Sequence, residues 1–301
     1  MEKPVLMILA GGMGSRYGGI KQMDPVDESG HWIIDYSIYD AKRAGFEKVV
    51  CIVSPDTEET FKGIMDTRAG KHMDIKYVCQ RLTNLPEGFS LPKDRVKPWG
   101  TAHAVLSAKK LINGPFAAIN ADDFYGADAY QKIYEFLMGY KPGHYALLGY
   151  NLMNTLTEHG HVSRGECIID GEMLVSITER VKVLKQNGGA AYTEDGENYT
   201  PLSDKTIVSM NFWGLGPDFF GHAQEELNMF LSENVPTNPL GCEFFLPTAA
   251  NSLLQKSLSD IKVIKTDGKW LGVTYKDDMP HVRGEIAKML DSGQYPKDLW
   301  K

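Results

Sequence analysis

Gly11, Gly12 and Gly14, then Ser15 and Arg16, follow directly on the apolar run 4–10, with Gly18, Gly19 and Lys21 close behind. An apolar strand ending in glycines lets backbone amides reach phosphate oxygens, because no side chains intervene and successive N–H groups point at the anion. Arg16 and Lys21 would add positive charge to such a cradle. Attack at a phosphorus builds negative charge on its equatorial oxygens and on the leaving group, and fixed cations stabilise both. Two common phosphate loops fit poorly. A P-loop needs Gly-Lys-Ser/Thr, whereas Lys21 lies between Ile20 and Gln22; a dinucleotide fingerprint needs a glycine three positions after Gly14, where Tyr17 stands. Farther along, Asn120-Ala121-Asp122-Asp123 ends another apolar run. A carboxylate at the C-terminal end of a strand, opposite a phosphate loop, suits a hard divalent cation such as Mg2+. The plainer reading of that pair is a cap on the next helix.

Gly-Gly-x-Gly-Ser-Arg with a lysine soon after, then Asp24-Pro25-Val26, resembles the signature of the sugar-phosphate nucleotidyltransferases. The resemblance is strongest over residues 5–26 and 100–124 and weaker beyond 160. It implies that Ala10, Gly11, Gly12 and Gly14 wrap the nucleotide, that Arg16 holds the departing pyrophosphate, and that Lys21 contacts the α-phosphate. Gln80 and the Gly100-Thr101 segment would recognise the base, and Asp122 would hold the metal. A second metal carboxylate is expected in a segment like Trp-Leu-Asp, but the chain has Trp270-Leu271-Gly272 there. Asp277 or Asp278 could supply it after a local shift, while Asp278 reads equally well as a helix N-cap ahead of Pro280. On the acceptor side, Glu179-Arg180-Val181-Lys182 resembles the family's sugar-site segment, with Glu179 on sugar hydroxyls and Arg180 or Lys182 on the acceptor phosphate. Gly160 and Asn211 match other sugar-contact regions. Glu243 to Leu246 looks like the family's Glu-x-x-Leu and reads as packing. His103, His159 and His161 lack zinc-ligand spacing.

The elements that must position these residues alternate. Strands are expected at 4–10, 48–53, 74–79 and 116–120, and helices at 35–43, 57–66, 101–111 and 128–138. Asp35 is a candidate helix cap and Gly45 a helix stop. Alternation on this spacing implies an α/β fold: a doubly wound, mostly parallel sheet covered on both faces, which the resemblance makes a Rossmann-like nucleotidyltransferase fold. Beyond residue 143 the texture changes. Strands at 145–152, 162–169 and 173–178, the last two joined by an Asp170-Gly171 turn, suggest an antiparallel acceptor-binding portion. A polar surface loop is expected at 187–198, a strand at 207–215, a helix at 218–231, a strand at 261–265 and a helix over 285–290. Residues 1–142 thus form a nucleotide-binding half, and 143–301 an acceptor-binding half with C-terminal helices, in one continuous catalytic domain.

Composition narrows the classes. The 301-residue chain carries a net charge of -7, which argues against a general nucleic-acid binder yet leaves room for a locally basic nucleotide pocket. Cys51, Cys79, Cys167 and Cys242 lie far apart and read as buried free thiols in a reducing compartment. No apolar run approaches the roughly 20 residues of a membrane helix, and the run 5–10 is too short for a signal-peptide core, so a cytoplasmic location is expected. No hexapeptide repeat follows residue 250. The expected reaction joins NMP from an NTP, UTP or dTTP favoured, to a sugar 1-phosphate and releases pyrophosphate. It needs no nucleophilic side chain, only alignment and charge. A cytidylyltransferase acting on phosphocholine and a catalytically silent nucleotide-sugar sensor remain as alternatives, and a dinucleotide-dependent oxidoreductase fits least. The partners are an NTP and a small phosphorylated acceptor, with a homo-oligomer compatible.

Overall fold

A computed structural model describes residues 2–12, 21–186, 188–266 and 268–301, with Lys21 described by its backbone alone. The N-terminal elements are β1 (Val5–Ala10), α1 (Ile33–Ala44), β2 (Lys48–Val53), α2 (Glu58–Thr67), β3 (Asp74–Cys79), α3 (Thr101–Ser107), β4 (Phe116–Asn120), β5 (Asp123–Phe124) and α4 (Ala127–Met138). Next come β6 (His144–Asn151), β7 (Val162–Asp170), β8 (Met173–Gln186), β9 (Gly189–Tyr192), β10 (Thr200–Leu202) and β11 (Ile207–Leu215). The chain closes with α5 (Phe219–Asn234), α6 (Leu246–Gln255), β12 (Asp260–Lys265), β13 (Leu271–Gly272) and α7 (Met279–Asp291).

Among the described residues eleven strands make one sheet, ordered β10-β9-β8-β12-β6-β11-β4-β1-β2-β3, with β7 against β8 and β11. The fold is the α/β class expected, with a sheet that is parallel only in part because the strands from β6 on pair largely antiparallel. Its parallel pairing joins β3, β2, β1 and β4, and recurs between β12 and β6. Strand β11 runs antiparallel to β4 and so begins the antiparallel portion, which β7 to β10 extend. Successive residues of a strand face opposite sides, and the core divides accordingly. Leu6, Ile8 and Ala10 pack with Ile34, Ile38 and Ile133 of α1 and α4. Val5 and Met7 pack instead with Val105, Leu227 and Leu253 of α3, α5 and α6. A continuous apolar strand therefore feeds two helical layers at once.

Local signals explain most boundaries, and several departures have clear causes. Gly45 ends α1 at φ 114°, a left-handed turn in which its N–H reaches the carbonyls of Ala41 and Lys42. Asp35 is the third residue of α1 rather than its cap: Trp32 holds the cap position, and Asp35 Oδ2 accepts from its N–H at 2.8 Å. The α-helical part of 101–111 stops at Ser107, and a 3-10 turn covers Lys109–Leu111. Strand β8 runs well past Thr178, where it pairs with β7 on one side and β9 on the other and buries Val183. The expected 187–198 loop contains β9, where the small side chains of Ala190 and Ala191 are buried. Helix α6 and the short β5–β13 ladder were not expected at all.

The end of the chain returns to its beginning. Val282, Ile286 and Met289 of α7 pack with Val26, Ile33, Tyr36 and Phe124 in a third apolar cluster. Tyr295 donates to Asp40 at 2.7 Å, and the Trp300 indole to Asp35 at 2.9 Å, so α1 carries the C-terminal tail. All four cysteines are buried and unbridged. No helix among the described residues is long and apolar enough to cross a membrane.

Candidate active site

Strands β1, β3 and β4 end on the same side of the sheet, because they belong to its parallel block. Ala10 is buried at the tip of β1, with Gly11 and Gly12 beyond it. The Gln22 amide donates to the carbonyls of Ala10 at 3.0 Å and Gly12 at 3.2 Å, which pins the exit of the glycine segment. Gly14 and Arg16 lie outside the described residues, as does the Lys21 side chain. After β3, Gln80 turns its amide nitrogen to the Gly100 carbonyl at 3.0 Å and to His103 Nδ1 at 3.1 Å. A carbonyl only accepts, so this contact fixes which end of the amide is nitrogen. Gln80 Oε1 is then turned towards Gly11, 3.4 Å from where a β-carbon on that glycine would stand.

Gly100 and Thr101 have a packing role beside this one. At φ 100°, a β-carbon on Gly100 would stand 2.5 Å from the Phe244 carbonyl oxygen, so glycine there admits the backbone of the 243–246 segment. The Thr101 hydroxyl accepts from the Leu246 N–H at 2.8 Å, tying the start of α3 to α6. His103 supports Gln80 from behind: its Nε2 contacts the Asn84 carbonyl at 2.7 Å, and burial pushes its pKa down, keeping it neutral.

At the end of β4 the side chains form a chain of hydrogen bonds. Asn120 donates to Asp123 Oδ2 at 2.8 Å and accepts from Asn211 at 2.8 Å; Asn211 in turn accepts from the Trp213 indole at 2.9 Å. Asn211 sits at φ 62° in an irregular stretch of β11, a conformation asparagine tolerates better than most residues. The Tyr125 hydroxyl donates to the Met210 carbonyl at 2.8 Å and lies 3.3 Å from Asp123. Asp122, half-buried, occupies the turn between β4 and β5. Across the β5–β13 ladder Asp123 pairs with Gly272. The position expected to hold a second carboxylate therefore does lie beside the Asp122-Asp123 pair, although it holds a glycine.

That glycine is packed shut. A β-carbon at 272 would stand 2.2 Å from Trp270 Cζ2 and 2.8 Å from Asp123 Oδ1. Gly272→Ala must displace the indole, so it is expected to cost about 1–3 kcal/mol and change the tryptophan emission. A denaturant titration followed by fluorescence reads both, and an unchanged emission maximum would contradict the packing. Asp278 is equally committed. Its buried carboxylate accepts from the Thr157 hydroxyl at 2.5 Å and from the N–H groups of Thr274 at 2.9 Å and Tyr275 at 2.7 Å. Asp277 is exposed.

The acceptor-side residues divide between two faces of β8. Burial pushes the Glu179 carboxyl up to about 7, against the opposing pull of the Arg164 guanidinium. Arg180 points the other way, to Glu166 at 2.9 Å and Glu194 at 3.1 Å, with its guanidinium 4.0 Å from the centre of the Tyr192 ring. Lys182 lines a cavity of about 560 Å3 with Gly160, His161 and Tyr199. Residues not nominated from sequence prove central: Asn120, Tyr125 and the buried Arg164, which lies over Trp270 and donates to Thr155 Oγ1 at 3.0 Å. The first two adjoin Asp122 in sequence and could have been proposed on that ground; Arg164 carries no such signal. Among the described residues no group of three His, Cys, Asp or Glu side chains could hold a metal ion.

The profile of the nucleotidyl transferase family matches residues 5–182, which spans β1 through the Glu179–Lys182 segment. The chain belongs to the nucleotidyl transferase family. No curated protein matches this transferase-family chain by sequence. Its fold is shared with the inositol-1-phosphate CTP transferase from T. maritima, at a TM-score of 0.65 and 11% identity, covering 96% of this chain and 97% of that one. A Bacillus anthracis protein assigned as a glucose-1-phosphate thymidylyltransferase, solved with sucrose, gives 0.63 and 16% over 93% and 94% of the two chains. A UDP-glucose pyrophosphorylase solved with UDP-glucose gives 0.60 and 16% over 95% and 99%. At such identities the transferase shares their architecture, and its substrates must be argued from its own residues.

Proposed function

We propose that the protein transfers a nucleoside monophosphate from an NTP to the phosphate of a sugar 1-phosphate and releases pyrophosphate. The observation that carries this reading is convergence. The Gly11 backbone, the Gln80 amide and the Asn120–Asp123 segment all stand at the C-terminal ends of the parallel strands, where open α/β sheets bind ligands. The acceptor's phosphate is itself the nucleophile, so the protein has to align the two phosphates and neutralise charge. Arg16 and Lys21 are assigned to the triphosphate, Glu179 and Lys182 to the acceptor. Gln80 Oε1 offers a hydrogen-bond acceptor to the base edge, which suits the N3–H of uracil or thymine and supports UTP or dTTP.

Mg2+ fits the residues present. The neighbouring carboxylates Asp122 and Asp123 are hard oxygen donors, and a set that small matches an ion that keeps waters and substrate phosphates among its ligands. Asp123 would be the second carboxylate because it adjoins Asp122, its Oδ2 also holding Asn120 and Tyr125, whereas Asp278 is tied up in three hydrogen bonds. Bound there, the ion would neutralise phosphate oxygens.

The deciding experiment mixes each of four NTPs with glucose 1-phosphate, inositol 1-phosphate or phosphocholine in Mg2+ and measures pyrophosphate. Release with UTP or dTTP and the sugar phosphate is expected. Preference for CTP with phosphocholine would move the assignment to a cytidylyltransferase. A second reading, a silent nucleotide-sugar sensor, draws on the glycine at 272. Tight binding of a nucleotide sugar with no pyrophosphate from any pair would select it.

A further inference from the structure

Loop 156–161 stands between two cavities. On one side is the cavity of about 560 Å3 lined by Lys182, Lys185 and Tyr199. On the other is a cavity of about 300 Å3 lined by Arg164, Trp270 and Gly272. Thr157 and Glu158 of the loop, with Lys185 of β8, line both, so the loop forms part of the wall of each.

The loop is held from outside by the stretch that follows β13. Thr157 donates to Asp278 Oδ1 at 2.5 Å, while Asp278 Oδ2 draws in the Thr274 and Tyr275 amides and so shapes the 3-10 turn Lys276–Asp278. Tyr275 Oη donates to the His161 carbonyl at 2.8 Å. The tyrosine ring lies flush against Gly160, where a β-carbon would stand 2.9 Å from Tyr275 Oη; at φ 137° that backbone also favours glycine. The other end of the same stretch is Gly272, paired with Asp123. One short segment thus connects the carboxylate end of the site to the wall of the Lys182 cavity.

We infer that segment 272–278 is a latch, and that Thr157, Tyr275 and Asp278 are positioning residues that hold loop 156–161 at the width needed by the acceptor. This rests on the transferase reading given above. None of the three is assigned to the nucleotide, so loosening the latch acts on one substrate. A purely structural role would weaken both substrates together through loss of folded protein.

Thr157→Val and Tyr275→Phe each remove one hydroxyl and little volume. Hydrogen exchange at the 157–162 amides is expected to quicken about tenfold in either variant, with β1 and β4 unchanged, as for local opening rather than global unfolding. The calorimetric Kd of the acceptor is expected to rise about tenfold, while that of UTP stays within about twofold; one hydrogen bond, to the carboxylate for Thr157 and to a neutral carbonyl for Tyr275, is worth about that much. The acceptor is the one giving most pyrophosphate in the panel above, with glucose 1-phosphate standing in where the wild type releases none. Thr157→Ser keeps the hydroxyl and should restore both values. Unchanged exchange at 157–162, or equal losses for UTP and acceptor, would overturn the latch. Wild-type protein releasing no pyrophosphate from any pair sinks the transferase reading instead, while the exchange and Kd readouts still decide the latch.

Discussion

Asp122→Ala is expected to lower kcat/KM for pyrophosphate release by about 100-fold or more, with the fold intact. Removing one preorganised group that stabilises transition-state charge costs on the order of 100- to 1,000-fold, and this carboxylate is assigned to the divalent ion. Loss of activity and loss of structure should separate cleanly here. Asp122 is half-buried in the turn between β4 and β5, outside the apolar core. Stability should therefore move by no more than about 1 kcal/mol, an ordinary cost for a single substitution outside the core. A pyrophosphate-coupled assay on wild type and variant, alongside denaturant melts, checks both halves. Undiminished turnover would remove Asp122 from the chemistry, and with it the metal assignment.

How far the sequence reaches depends on what each element rests on. Strands β2, β3, β4 and β11 were legible to the residue: β2 and β4 are nearly unbroken apolar runs buried on both faces, whereas β3, at the sheet edge, interleaves Asp74 and Lys76 with its apolar residues, and β11 is apolar but for Ser209 and Asn211. The place of Gln80 directly after β3 was legible too. By contrast β9 is small and polar-flanked, and only its pairing with β8 and β10 makes it a strand. Position 272 was the hardest to interpret. From sequence alone Gly272 removed a carboxylate and left Asp277 or Asp278 to replace it. The fold shows why Asp278 has another use: the chain turns at Tyr275 to bridge two loops far apart in sequence, and that bridge consumes the carboxylate. No local pattern encodes a contact between residues 157 and 278. Likewise Gly100 reads in sequence as serving a base edge, yet its missing side chain makes room for Phe244, which arrives from the far end of α5.

The largest expected change in stability lies away from the site, at Asp40. Its side chain is buried in α1, one oxygen accepting from Tyr295 at 2.7 Å and the other with no hydrogen-bond partner among the described residues. Burial pushes its pKa up to about 7, although Arg43 at 4.0 Å opposes the rise. A carboxyl whose pKa is raised by folding binds its proton more tightly in the folded state. The protein therefore loses stability as pH climbs from about 4 to about 7, while the unfolded chain ionises first, and the full cost persists above that window. Every tenfold difference in proton affinity between the folded and unfolded chain is worth about 1.4 kcal/mol. Asp40→Asn keeps the shape and the acceptor for Tyr295 but carries no charge, so it is expected to stabilise the protein by on the order of 2–4 kcal/mol at pH 8. The gain should shrink to about 1 kcal/mol at pH 5 and vanish below about pH 4. Urea melts of both proteins at pH 4, 5 and 8 give the comparison directly. A variant that gained nothing between pH 4 and 8 would mean that Asp40 is ionised in the folded protein at little cost, with the C-terminal tail held to α1 by an anion rather than by a neutral acid.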